Sequence, residues 1–117
     1  MATYTKRALS GSTNGKQIKI TQTATAGDTI HTAVAGTTDW DEIWLYCVNS
    51  SSSAVKLTIE WGQADAPDGN IELSISPEAG YVLVVPGLVL QNELVVKAFA
   101  STTNVLLING FVNRIEA

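Results

Sequence analysis

What this chain of 117 residues most lacks is charge: Asp, Glu, Lys and Arg together make up 15% of it, against roughly 25% in a typical soluble domain. Seven basic residues against eleven acidic ones leave a net charge of −4. A non-specific grip on phosphate backbones depends on clustered Lys and Arg. Here Lys6, Arg7, Lys16 and Lys19 gather near the N-terminus but are diluted by Ser, Thr and Gly. Nucleic acid is therefore not an expected partner, nor is an acidic membrane surface. Cys47 is the only cysteine, so no intrachain disulfide can form and the fold must hold by packing and hydrogen bonds. That suits assembly in a reducing cytoplasm. No segment approaches the ~20 apolar residues of a membrane span, and residues 1–10 lack the apolar core of a signal peptide, so a protein soluble when made is expected. A glycine-rich phosphate loop, paired catalytic carboxylates and Cys/His metal-ligand spacing are all missing from the sequence, so neither an enzyme nor a cofactor is expected.

No window of useful length carries a helical apolar period either. What is present is strand. Residues 43–48 alternate Ile43, Leu45 and Cys47 on one pleat face with Trp44, Tyr46 and Val48 on the other, because successive side chains in a strand point to opposite sides. Residues 81–85 repeat that two-sided pattern, as do residues 94–99, interrupted only by Lys97. Residues 55–61 instead place Val55, Leu57, Ile59 and Trp61 inward and Lys56, Thr58 and Glu60 toward water. Residues 88–90 read as a separate short strand after Pro86-Gly87, and residues 105–115 as one long strand that carries Asn109-Gly110. About eight short strands at this spacing predict a single all-β domain, an antiparallel β-sandwich with a jelly-roll-like order. Residues 1–28 are polar and Thr-rich, and are expected as an extended N-terminal arm, with the sandwich spanning residues 29–117. Met1 to Gly15, if extended, could reach on the order of 50 Å across a neighbouring subunit; a frayed terminus is the alternative.

His31, the only histidine, lies beside Thr32 on a strand and reads as a half-exposed polar residue rather than a catalytic base. Cys47 sits in the most apolar strand and reads as a small hydrophobe. Residues 65–72, Asp65 through Glu72, offer oxygen ligands near a glycine, the chemistry calcium takes, yet the same residues build an ordinary turn. Asp39, Asp41 and Glu42 around Trp40 read as a solvated strand entrance. Trp40, Trp44 and Trp61 with Tyr46 and Tyr81 could form a platform for sugar rings, making glycan a possible partner, although large aromatics at strand positions are more often core or interface anchors.

Each large apolar side chain removed from water contributes about 1.5–3 kcal/mol, so a second apolar face left bare would forfeit several and invite aggregation. A permanent symmetric contact solves this, and the chain is expected to form a homo-oligomer through Trp44, Tyr46, Val48, Tyr81, Leu83, Val95 and Phe99. Burial by loops or by barrel closure is the monomeric alternative.

Several phrases carry a resemblance: Tyr4-Thr5-Lys6-Arg7-Ala8-Leu9-Ser10-Gly11-Ser12, Ile30-His31-Thr32-Ala33-Val34-Ala35-Gly36, Lys56-Leu57-Thr58-Ile59-Glu60-Trp61-Gly62, Val85-Pro86-Gly87 and Gly110-Phe111-Val112-Asn113-Arg114-Ile115. Together they resemble small virion proteins encoded among the head genes of tailed bacteriophages. The resemblance implies a capsid decoration, or cement, protein. Such a protein is a β-rich subunit, often trimeric, on the outside of the virion shell, where it bridges neighbouring major capsid proteins. It further implies that Thr3, Tyr4, Thr5, Lys6, Arg7, Ala8 and Leu9 touch the capsid. A neck, tail or head-fibre component is the second reading within that class, and a carbohydrate-binding module the one outside it.

Overall fold

The computed structural model describes residues 2–117 and contains nine strands and no helix among them. In chain order they are β1 (Thr3–Ala8), β2 (Ile18–Lys19), β3 (Asp28–Thr32), β4 (Trp40–Asn49), β5 (Val55–Trp61), β6 (Asn70–Ile75), β7 (Val82–Leu90), β8 (Val95–Ala100) and β9 (Leu106–Glu116). One antiparallel sheet runs β1-β9-β4-β7, with the short β2 also pairing with β9, and the other runs β3-β8-β5-β6. The two pack over a shared core as a β-sandwich. Ile43, Leu45 and Cys47 of β4, Leu57 and Ile59 of β5, Val96 and Ala98 of β8, and Ile108 and Val112 of β9 are all fully buried there. The period-two alternation of each strand puts them on its inner side.

The pairings are nested. β1 lies against β9, β3 against β8, β4 against β7 and β5 against β6, so the second half of the chain retraces the first around the β5–β6 loop. Further pairing of β4 with β9 and β5 with β8 closes each sheet. This order puts two of the strands that are apolar on both faces, β4 and β8, in interior positions where both edges are hydrogen-bonded, and leaves the third, β7, at an edge.

β9 is a single strand through Asn109-Gly110, in unbroken register with β4 from Trp40↔Ile115 to Asn49↔Leu106. Glycine is needed there for close approach, since a Cβ on Gly110 would stand 1.9 Å from the Trp44 carbonyl oxygen. Residues 81–85 and 88–90, expected as two strands, join into β7. Its register against β4 shifts twice, and Gly87 takes a left-handed φ of 77°, which lets the strand bulge and continue.

The segment expected as an arm is largely laid onto the sandwich. β1 pairs with β9 over six residue pairs, Thr3↔Glu116 to Ala8↔Phe111, while Leu9 and Ile20 enter the core at 2% and 0% exposure. Asp28 then pins the approach to β3, its carboxylate accepting from the Thr21 and Gln22 backbone N–H groups and the Thr21 hydroxyl. β5 also differs from expectation. Thr58 and Glu60 face outward but are buried, and for Glu60 the cause is a covering segment, because the Thr25 hydroxyl and Gly27 N–H both donate to its carboxylate.

Candidate functional site

Across the outer face of the β1-β9-β4-β7 sheet runs a ladder with one residue from each strand. Lys6 Nζ of β1 stands 4.3 Å from the centroid of Phe111 on β9, a cation–π contact. Phe111 stacks on Trp44 of β4 with centroids 6.0 Å apart and planes 13° from parallel. Gly87 of β7 leaves room on the far side, where a Cβ would come within 2.8 Å of the indole. The Trp44 indole N–H donates to Glu42 Oε1 at 2.8 Å, and the Asn113 amide donates to the same oxygen at 3.0 Å. These bonds, that from Asn113 foremost, hold the Glu42 carboxyl below its ordinary range by favouring its charged form.

One row along, Tyr46 meets Tyr81 edge to face at 6.2 Å, and the Tyr81 hydroxyl donates to Gln17 Oε1 at 2.9 Å. A shallow depression of about 400 Å³ lies between these rings and Phe111, with Asn109, Gly110 and Gly15 completing its lining. Several exposed apolar groups lie on this sheet: Tyr4 at 70%, Trp40 at 40%, and Leu83, Leu88 and Val89 of β7 at 44%, 44% and 46%. Leu83 and Val89 pair with the outward Tyr46 and Glu42, whereas Leu88 pairs with the inward Ile43 and is bare at the rim. Trp44, Tyr46 and Val48 themselves are half-buried by their own neighbours.

Of the seven residues expected at an oligomer interface, Trp44, Tyr46, Val48, Tyr81 and Leu83 share this face. Val95 and Phe99 do not. They lie on the outer side of β8, in the opposite sheet, where the inward positions of that strand belong to Val96, Ala98 and Ala100. Of the expected capsid contacts, Thr3, Tyr4, Lys6, Arg7 and Ala8 are exposed and Thr5 is half-buried, whereas the Leu9 side chain is in the core and has no outward surface to offer. The three tryptophans form no common platform, because Trp61 belongs to β5 in the other sheet and packs against the core.

A second cluster joins the sheets from within. His31 of β3 places Nε2 2.7 Å from Asp41 Oδ2 of β4, and Arg114 of β9 grips both carboxylate oxygens, Nε at 2.8 Å and Nη2 at 3.1 Å. The Val34 N–H also donates to Asp41 Oδ2, and the Ser10 backbone N–H donates to His31 Nδ1 at 3.0 Å. A ring nitrogen that accepts an N–H carries no proton, so Nε2 holds the proton and donates it to Asp41. Burial pushes the Asp41 carboxyl up, but the hydrogen bonds from Arg114 and His31, with the charge of Arg114, outweigh it and leave it below its usual value. The expected exposure of both residues is corrected here: His31 is 2% and Asp41 0% exposed. Although Ser10, His31 and Asp41 are neighbours, Ser10 Oγ accepts from the Thr32 N–H at 2.7 Å. With both imidazole nitrogens engaged, none is free to draw a proton from a hydroxyl.

At the other end of β4, Asn49 is 2% exposed and donates to the Ser53 and Ile75 carbonyls, tying β4 to β6. Cys47 is fully buried, and burial pushes its thiol up to about 12. The 65–72 segment closes on its own backbone through Gly69 N–H to the Asp65 carbonyl and Asn70 N–H to the Pro67 carbonyl. Among the described residues no three His, Cys, Asp or Glu side chains converge as a metal site. No family model, curated protein or solved structure matches this chain.

Proposed function

We propose that this protein is a non-enzymatic structural component of a tailed-bacteriophage virion: a capsid decoration protein that associates with copies of itself, as a trimer, and bridges major capsid proteins on the outer shell. The observation that carries the self-association is the apolar surface left bare along β7. Leu83 and Val89 on its outer face and Leu88 at its inner rim are each more than 40% exposed, on a strand that contains no charged residue among its nine and forms an edge of its sheet. Pro86 and the two register shifts of β7 interrupt its free backbone edge, as proline and bulges do in natural edge strands. What remains to be covered is its apolar side chains, and exposed apolar groups of this kind mark contacts. The strand order supports a jelly-roll reading, since four nested antiparallel pairs closed by β4·β9 and β5·β8 describe a rolled ribbon. The assignment to a virion rests on the sequence resemblance and on the acidic, weakly charged surface.

The test is to incubate the purified protein with expanded, undecorated capsids. Saturable binding at fixed symmetry positions of the shell is the expected result. Absence of binding, together with a glycan-array signal that Tyr46→Ala removes, would replace this reading with that of a carbohydrate-binding module seated in the depression beside Phe111.

A further inference from the structure

We infer that β1 is an exchangeable strand, and that the edge of β9 from Phe111 to Glu116 accepts residues 3–8 of a second copy as readily as those of its own chain. The slot is cut to this segment, since Thr3↔Glu116 through Ala8↔Phe111 pair without a break. Whatever these residues gain within one chain they also gain between two, which makes strand exchange a low-cost route to assembly.

β1 is held lightly. None of its six side chains enters the core; only Thr5 is even partly covered. Its attachments are the backbone ladder and the Lys6–Phe111 contact, and segments with so few buried apolar contacts open at low cost. Immediately after it the chain is fixed. Leu9 plugs the core at 2% exposure, the Ser10 N–H is bound to His31, Ser10 Oγ accepts from Thr32 N–H, and Gly11 N–H donates to the Ile30 carbonyl. The hinge therefore falls between Ala8 and Leu9. The six residues of β1 beyond that hinge, extended, reach roughly 20 Å at about 3.3 Å each.

Once β1 swings away, β9 presents six residues of unpaired backbone, because β2 covers only Leu107 and Ile108 on that edge. A bare edge takes a strand, and the one strand whose register is already matched to it is β1 of another copy. Exchange adds something the closed chain does not have. Tyr4, 70% exposed, and Trp40, 40% exposed, lie in the row Tyr4↔Ile115↔Trp40, where the body of a neighbour brought alongside would cover them. The inference deepens the self-association proposed above and rests on it only in requiring that copies meet.

The experiment mixes two singly substituted proteins of different mass, Thr3→Cys and Glu116→Cys, at a concentration where native mass measurement is also made, and oxidises them mildly. Cys47 is buried and does not compete. The expected result is a mixed covalent dimer in at least several-fold excess over a control mixture of Thr3→Cys with Asn109→Cys, whose cysteines are out of register. Oligomers by native mass with no mixed disulfide above that control overturn the exchange and leave self-association standing. Monomer at every concentration, with the Thr3→Cys/Glu116→Cys double variant closing only within its own chain, overturns both.

Discussion

Asp41 concentrates more of the fold's polar bonding than any neighbouring side chain: it accepts from Arg114, His31 and Val34 at once while fully buried. Its removal strands a guanidinium and an imidazole N–H, and breaking such a buried pair costs about 3–5 kcal/mol. Asp41→Ala should therefore lower the urea unfolding free energy by roughly 3 kcal/mol, the lower end of that range, since Arg114 retains some access to water. The pH dependence follows from the same bonds. Asp41 and Glu42 both titrate below their ordinary values in the folded chain, so their stabilisation is complete above the unfolded carboxylate range, near pH 4, and is lost as pH falls through the folded values. Urea midpoints should drop between pH 5 and pH 2.5, and less so in Asp41→Asn. Cys47, with its thiol pushed up to about 12 by burial, should resist iodoacetamide at pH 8 in the native protein and react on unfolding. Part of this was readable beforehand. Ile43, Leu45 and Cys47 face inward, and one more step of the same alternation puts Asp41 inward as well; an inward acid demands a partner. That the partners are His31 and Arg114 follows only from the crossing of β3 under β4 and β9.

At the scale of elements, the strands read most accurately from sequence are those whose apolar alternation is strong: β4, β5 and β8. β1 carries no apolar pattern because an edge strand with both faces wet needs none; backbone pairing and the Lys6–Phe111 contact hold Thr3–Ala8 in place. In β7, Pro86-Gly87 signals a turn by sequence, whereas opposite a regular β4 the extra residue is taken up as a bulge and the strand continues. Gly110 works the other way. Its Cβ would collide with the Trp44 carbonyl, and backbone cannot yield as a flexible side chain does. Gly110→Ala should part β4 from β9 locally and cost at least about 3 kcal/mol, or prevent folding, a magnitude reserved for steric faults in central strands. Circular dichroism and denaturant titration of the variant would detect either outcome.

For the molecule as a whole, the sandwich covers itself better than its sequence implies. Trp44 and Phe111 shield one another, Lys6 lies over the second ring, and Gly87 makes room for the first. The proposed contact between copies therefore falls at the β7 margin rather than in the middle of the sheet. Leu83→Lys changes an exposed side chain there, and surface substitutions of that kind usually alter stability by no more than about 0.5 kcal/mol. The variant should keep the wild-type unfolding midpoint while its native mass falls to that of a single copy. An unchanged oligomer would place the contact elsewhere.

The sequence alone determined that the described residues form a β-sandwich without helix or intrachain disulfide, because side-chain alternation and cysteine count are local properties that every residue carries with it. It also located the inward faces of β4 and β5. Which strands became neighbours, and hence that His31, Asp41 and Arg114 meet in the interior while Trp44 and Trp61 end in different sheets, was decided by the tertiary structure. Pairings between residues tens of positions apart, such as β1 with β9, depend on how the ribbon rolls. That rolling is set by the summed burial of both sheets, a quantity no single segment expresses.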